Sequence, residues 1–156
     1  MSDLNKVMGE VWKHRDCPEV FLRKFQEVFE DYHENAAYLF EYASALDFLG
    51  KETEAIPLYQ RALELGLSGK MKIQAEIQLG SSLSVTGENE KAIFILGRVL
   101  KETGDPAVLS FLCIALFRYG ETMKSLKTAL NFILSGNQGR IPEYERTLSQ
   151  YLDEMD

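Results

Sequence analysis

His14 and Cys17, three positions apart, are the pair of side chains in this sequence best suited to metal binding or nucleophilic chemistry. A His-x-x-Cys pair can supply two zinc ligands, and a cysteine beside a histidine can act as a nucleophile with the imidazole as its base. A zinc site needs three or four protein ligands, yet His33 is the only other histidine and no second closely spaced pair exists. Nothing around Cys17 supplies an oxyanion hole or a third residue to orient the base. We therefore expect no catalytic residue, no metal and no cofactor.

Two other patterns that could carry chemistry also have simpler interpretations. Glu52 and Glu54 are typical of the first turn of a helix, where negative charge is favourable. The glycine-containing segment 136–139 lacks the Gly-Lys-Ser/Thr ending of a phosphate-binding loop and has no strand before it. The sequence therefore predicts a protein that is not an enzyme.

Composition limits the class of protein further. The chain has 156 residues, a net charge of -7 and 46% hydrophobic residues, which is typical of one acidic globular domain and argues against nucleic-acid binding. The longest apolar run, 107–117, is shorter than the ~20 residues that cross a bilayer, so we expect no membrane partner. The first residues lack a signal peptide, and the cysteines Cys17 and Cys113 are far apart in sequence. These features predict a cytoplasmic protein with two free thiols.

Charge is spread unevenly along the chain. Residues 98–140 contain six basic and three acidic residues, whereas the last sixteen residues contain five acidic and one basic. The basic segment is interpreted as a solvated helix face, with contact to an acidic peptide or an anionic surface as the alternative.

Three segments of the sequence repeat the same pattern around a glycine. The glycines are Gly50, Gly87 and Gly120, which are 37 and 33 residues apart. Five residues after each glycine comes a small residue, followed at once by Ile or Leu; the small residues are Ala55, Ala92 and Ser125. A glycine favours the end of one helix, and a small residue lets the next helix pack closely against it. Each segment therefore predicts an antiparallel helical hairpin, and hairpins of this kind stack on their neighbours.

The apolar periodicity predicts an all-α protein without a sheet. The predicted helices are 3–14, 19–33, 36–49, 52–65, 70–86, 89–102, 106–119, 122–134 and 142–154. The last of these has an apolar stripe and an acidic opposite face, as expected for a helix that caps a stack. The stripe consists of Ile141, Tyr144, Leu148, Leu152 and Met155.

The repeated pattern resembles the tetratricopeptide repeat. The second repeat supplies Leu79-Gly80-x-x-Leu83, Gly87, Ala92, Leu96 and Val99; the first supplies Tyr42-Ala43-x-x-Leu46, Gly50, Ala55, Tyr59 and Ala62; the third supplies Leu112-Cys113-x-x-Leu116, Gly120, Ser125, Ala129 and Phe132. The whole chain is also similar to a group of small bacterial proteins with this arrangement. The resemblance implies a right-handed α-α superhelix formed by a single domain, residues 1–156.

Within that domain the resemblance implies repeats at 36–69, 73–105 and 106–136, with a capping helix at 141–156. Residues 2–35 form a degenerate hairpin, in which Met8-Gly9-x-x-Trp12 matches the motif but Asp16 replaces the turn glycine and Phe21 the small residue. The junction 66–72 lengthens the first repeat by three residues and lacks the usual proline, which leaves the bend there undetermined.

Tetratricopeptide stacks bind peptides in a concave groove lined by the first helix of each hairpin. The resemblance implies that this groove is lined by Phe40, Ser44, Asp47, Phe48, Gln74, Ile77, Ser81, Ser84, Ser110, Ile114, Phe117 and Arg118. The alternative for Phe40, Phe48 and Phe117 is ordinary packing between repeats. The set lacks the Lys and Asn residues with which chaperone-binding members hold a carboxylate, so that partner class is not expected.

The expected function is that of a non-enzymatic protein-protein interaction module that binds a protein or peptide partner. The alternative is a self-associating homodimer whose groove holds its own chain or a second copy. A stripe on the first helix motivates that alternative, namely Leu4, Val7, Met8, Val11 and Trp12.

Overall fold

The computed structural model describes the backbone of residues 2–134 and the side chains of residues 4–129. Over the described backbone the chain forms nine α-helices and no strand. The helices are α1 (Ser2–Trp12), α2 (Pro18–Glu27), α3 (Phe29–Tyr32), α4 (Ala36–Phe48), α5 (Glu52–Glu64), α6 (Gly69–Val85), α7 (Asn89–Thr103), α8 (Pro106–Arg118) and α9 (Thr122–Leu134). The all-α prediction is confirmed. The predicted helix 142–154 lies outside the described residues.

The three aligned glycines end helices as the sequence predicts. Gly50, Gly87 and Gly120 have φ values of 71°, 89° and 90°, a conformation that side-chain-bearing residues rarely adopt. After α4, the Gly50 N–H donates to the Asp47 carbonyl at 2.9 Å and the Lys51 N–H donates to the Leu46 carbonyl at 2.9 Å. This pair of bonds is the Schellman motif, which satisfies the last carbonyls of the helix and reverses the chain. The same pair of bonds follows α6 and α8.

Side-chain caps fix the start of two helices. The Asn35 carboxamide accepts a hydrogen bond from the Tyr38 N–H at 3.0 Å at the start of α4. The Asp105 carboxylate accepts from the Ala107 N–H at 2.8 Å at the start of α8, where Pro106 occupies the first helical position. Both caps satisfy backbone donors that have no partner inside the helix.

The predicted helix 19–33 is interrupted at Val28. Val28 has φ -109° and ψ 5°, and the chain continues as the short α3. At the break, the Phe25 carbonyl accepts from the Val28 N–H at 3.2 Å and from the buried Tyr38 hydroxyl at 2.7 Å. A tertiary hydrogen bond thus occupies an acceptor that a continuous helix would use for its own backbone. The single helix predicted for 19–33 is therefore two helices.

The chain divides into two compact units, which are unit 1 (Met1–Ser82) and unit 2 (from Leu83 onward). In unit 1 the fully buried side chains include Phe21, Phe25, Tyr38 and Tyr59. In unit 2 they include Leu96, Val99, Val108 and Leu116. The division into the repeats 36–69, 73–105 and 106–136 within one domain stays a prediction. None of the described helices is long and apolar enough to span a membrane.

Candidate interaction surface

A polar network joins α4, α5 and α6 inside unit 1. The buried Tyr59 hydroxyl on α5 donates to Gln78 Oε1 on α6 and lies 3.4 Å from Asp47 Oδ2 on α4. Ser82 Oγ donates to Asp47 Oδ1 at 2.8 Å, and Ser44 Oγ lies 3.0 Å from Gln78 Oε1. Three helices are therefore connected by side chains as well as by apolar packing, which fixes their register.

Asp47 is the ionisable centre of this network. Burial raises the pKa of its carboxyl group from the usual 3.8 to about 6, and the nearby Glu52 adds to the rise, whereas the bonds from Ser82 and Tyr59 oppose it. Burial also raises the pKa of the Tyr59 hydroxyl well above its usual range. Tyr59 therefore acts as a neutral donor, and Asp47 changes protonation state in mildly acidic solution.

Aromatic side chains from α1 and α4 meet around a half-buried carboxylate, in what we term the Trp12 patch (Trp12, Glu41 and Phe48). The Trp12 indole N–H donates to Glu41 Oε2 at 2.7 Å. The ring centroids of Trp12 and Phe48 are 6.3 Å apart with an interplanar angle of 72°, an edge-to-face contact. Phe48 is 53% exposed. The patch therefore presents a large apolar surface next to an oriented acidic group.

The Trp12 ring packs against the aromatic core of unit 1. Its centroid lies 5.0 Å from that of the fully buried Phe21, which in turn lies 5.4 Å from Phe25. Phe21 is the residue that replaces the small side chain of the degenerate hairpin. The Phe21 ring is large enough to pack against Trp12, whereas an alanine at position 21 would be too short to contact it.

Unit 1 also contains two open clefts beside α1. The larger has a volume of about 520 Å³ and runs between α1 and α2, with Val7, Val11 and Val28 among its lining residues. Its polar lining residues are Lys6, Glu10, His14, Lys24 and Glu27. The smaller cleft, of about 280 Å³, adjoins Trp12 and is also lined by Gly9, Lys13, Arg15 and Asp16.

The predicted groove residues of unit 1 differ in exposure. Phe48 and Gln74 are exposed, and Ser44, Asp47 and Ser81 are half-buried. Phe40 and Ile77 are buried, at 6% and 2% exposure, and the Phe40 ring packs 6.2 Å from that of Tyr59. The sequence did not single out Glu41 and Gln78, although Gln78 lies one helical turn from the predicted Gln74.

The predicted groove residues of unit 2 are buried or half-buried. Ser84 and Ile114 are buried, whereas Ser110, Phe117 and Arg118 are half-buried. Arg118 Nη1 lies 3.4 Å from Ser84 Oγ, and Ser110 Oγ donates to the Pro106 carbonyl of its own helix at 3.0 Å. Whether any of the twelve residues contacts a partner stays a prediction.

The cysteines and histidines are not brought together into a metal site. Within the part of the chain that the structure describes, no three His, Cys, Asp or Glu side chains group closely enough to hold an ion. Cys17 is a free exposed thiol, and Cys113 is a free half-buried one. Burial raises the pKa of the Cys113 thiol, and the Ser125 hydroxyl donates to the Cys113 carbonyl at 2.8 Å. Cys113 on α8 thus contacts Ser125, the small residue of the third repeat, on α9.

The apolar stripe of α1 is covered in part by the chain itself. Met8 and Val11 are buried, at 6% and 3% exposure, whereas Leu4, Val7 and Trp12 are half-buried. The stripe therefore leaves less apolar surface for a second copy than the sequence alone indicates.

Short helices that end at Schellman glycines and are followed by a close-packing small residue define an all-α helical-repeat protein. The model of the tetratricopeptide repeat family matches residues 36–155, and the chain belongs to that family. The predicted resemblance is thus confirmed. The tetratricopeptide-repeat fold suggests a scaffold for protein-protein interaction. No curated protein sequence matches the chain.

Solved structures share the fold at low sequence identity. A crystal structure of the MamA protein is 19% identical with a TM-score of 0.67, and the match covers 88% of this chain and 79% of MamA. A double mutant described as MamA RS-1 ArsTM is 17% identical with a TM-score of 0.69, covering 97% and 84%. A candidate kinesin light chain from Podosopora anserina with nearly identical TPR-like repeats is 13% identical with a TM-score of 0.76, covering 98% and 92%. These similarities support the fold alone.

Proposed function

We propose that this protein is a non-enzymatic interaction module that binds a peptide or helix of a protein partner at the Trp12 patch. The observation that carries the proposal is Phe48, which is 53% exposed and in edge contact with Trp12. Aromatic residues in this state supply much of the energy of protein interfaces, because they bury a large area with few rotatable bonds. In unit 2, the half-buried Ser110, Phe117 and Arg118 remain proposed contact residues.

Other predicted groove residues on α4 and α6 suit a peptide better than a small molecule. Ser44 and Ser81 are half-buried and Gln74 is exposed, so hydroxyl and amide groups belong to the predicted lining as well as aromatic rings. Such groups can bond to the backbone of an extended segment or to the side chains of a helix.

Site-specific photocrosslinking tests the proposal. Phe48→p-benzoylphenylalanine, produced in the cells from which the gene comes, should give a discrete adduct of higher mass on irradiation. Gln60→p-benzoylphenylalanine, at an exposed position on α5, is the matched control. Adducts at both positions, or at neither, would overturn the assignment of the patch, and an adduct of twice the chain's own mass would favour self-association.

Self-association is the second candidate function, and Phe94 favours it. Phe94 on α7 is 73% exposed, and Met123 and Leu126 on α9 of the same unit are 63% and 51% exposed. Large apolar side chains exposed to this degree are typical of surfaces that pair with another protein or a second copy.

A further inference from the structure

Glu41 differs from the exposed acidic residues of unit 1 in what surrounds it. Its carboxylate is half-buried beside aromatic rings, and its polar contact is the Trp12 indole N–H at 2.7 Å. The indole is a neutral donor, so the negative charge of Glu41 is oriented without being neutralised. Burial raises the pKa of the Glu41 carboxyl group, and the bond from Trp12 opposes that rise only in part.

Two lysines close to the patch in sequence already pair with acidic residues. Lys13 Nζ lies 2.5 Å from Glu10, and Lys51 Nζ lies 2.7 Å from Glu54. Arg15 lines the smaller cleft together with Asp16. For Glu41, the described residues supply no Lys or Arg in ion-pair contact. The charge that remains to be matched at the patch is therefore negative.

We propose that the partner segment bound at the Trp12 patch presents an arginine or lysine side chain, whose cationic head pairs with Glu41 and whose stem packs on Phe48 and Trp12. This inference rests on the proposed function and specifies the chemistry of the partner. Arginine suits the geometry best, because a planar guanidinium can bond to a carboxylate while it stacks on an aromatic ring. A neutral or acidic residue at that position would leave Glu41 desolvated without a counter-charge.

Fluorescence of Trp12 provides the test, because it is the only tryptophan in the chain. Three acetylated, amidated dodecapeptides would be titrated into the full-length protein: one alternating leucine with arginine, one with citrulline replacing arginine, and one with glutamate replacing arginine. Citrulline keeps the shape of arginine without its charge. The arginine peptide should change the Trp12 emission saturably and bind at least ten times more tightly than the other two peptides.

Glu41→Gln should lower the affinity for the arginine peptide about tenfold and leave the affinity for the citrulline peptide unchanged. The glutamine oxygen can still accept from the Trp12 indole, so the variant keeps the fold; its melting temperature checks this. Glu64→Gln is the matched control, since it removes the same charge from an exposed position on α5 and should change binding less than twofold. Equal affinities for the arginine and citrulline peptides, no saturable signal with any of the three, or equal losses in the two variants would overturn the inference. The crosslink at position 48 does not depend on charge, so its failure would count against the proposed function instead.

Discussion

Asp47 carries a charge that the folded chain stabilises poorly. Burial raises the pKa of its carboxyl group from 3.8 to about 6, so the folded state holds a proton that the unfolded state has already lost between these pH values. The contribution of protonated Asp47 to stability is fully present below about pH 4 and is lost as the pH rises through 6. Asp47→Asn should therefore be more stable than the wild type at pH 7.5, by no more than about 3 kcal/mol, with the difference fading towards pH 4.

Urea unfolding between pH 4 and pH 8 measures this dependence. Asp31→Asn provides the control, because it removes a carboxylate from an exposed position. The assignment of the raised pKa fails if the Asp47→Asn difference is independent of pH, or if the variant is the less stable protein at pH 7.5.

The Tyr38 hydroxyl, which contacts the break between α2 and α3, should contribute to the free energy of unfolding. It is fully buried and donates to the Phe25 carbonyl at 2.7 Å. Tyr38→Phe should lower the free energy of unfolding by about 1 kcal/mol, because a buried hydrogen bond is lost while the ring packing remains. Tyr32→Phe is the control, because the half-buried Tyr32 ring stacks 5.7 Å from that of Tyr38. It should lower the free energy of unfolding by less than about 0.5 kcal/mol. Equal losses in the two variants would show that the Tyr38 bond has no special role.

At the scale of the helices, two glycines of unit 2 should respond oppositely to alanine. Gly97 lies inside α7 and Gly87 ends α6 with φ 89°, and a Cβ atom at either position would meet nothing within 4 Å. Backbone conformation alone therefore separates them. Gly97→Ala should stabilise the protein by ~0.5–1 kcal/mol, because alanine restricts the unfolded chain and favours the helix, whereas Gly87→Ala should destabilise it by ~1 kcal/mol. Thermal unfolding of both variants measures the difference, and a shift of the same sign in both would contradict it.

The helices were predictable where local chemistry determines their ends. The Schellman glycines and the Asn35 and Asp105 caps act within a few residues, so the sequence places α4 to α9 within about two residues of their observed bounds. The break at Val28 was not predictable in this way. There the Phe25 carbonyl accepts from the Tyr38 hydroxyl of another helix, a contact that the local sequence does not indicate.

The candidate site was predictable only in part. Helices α4 and α8 are apolar on most of their faces, so periodicity does not show which side is open, and Phe40 and Ile114 prove to be buried. Phe48 and Gln74 are exposed, and their contact with a partner stays a prediction. Glu41 is part of the candidate site because Trp12, 29 positions away in sequence, donates a hydrogen bond to it. The local sequence around Glu41 does not indicate such a contact.

At the scale of the whole molecule, the open question is which apolar surface is used. The Trp12 patch in unit 1 combines aromatic rings with a carboxylate that lacks a counterion among the described residues, which favours a different protein as its partner. In unit 2, the exposed side chains of Phe94, Met123 and Leu126 are apolar and suit contact with a second copy. Because the two surfaces belong to different units, substitutions can separate their effects.

The mass of the protein in solution decides between these uses. We expect light scattering after size exclusion to give 17.8 kDa from 1 to 100 μM, because the apolar stripe of α1 is partly covered and the proposed partner is a different protein. Twice that mass would instead favour self-association. In that case Phe94→Ser should restore the monomer, since among the side chains of unit 2 that the structure describes it removes the most exposed large apolar one. Phe48→Ser should leave the dimer intact. A dimer that only Phe48→Ser dissociates would mean that the Trp12 patch binds a second copy, and the proposed interaction with a different protein would then be wrong.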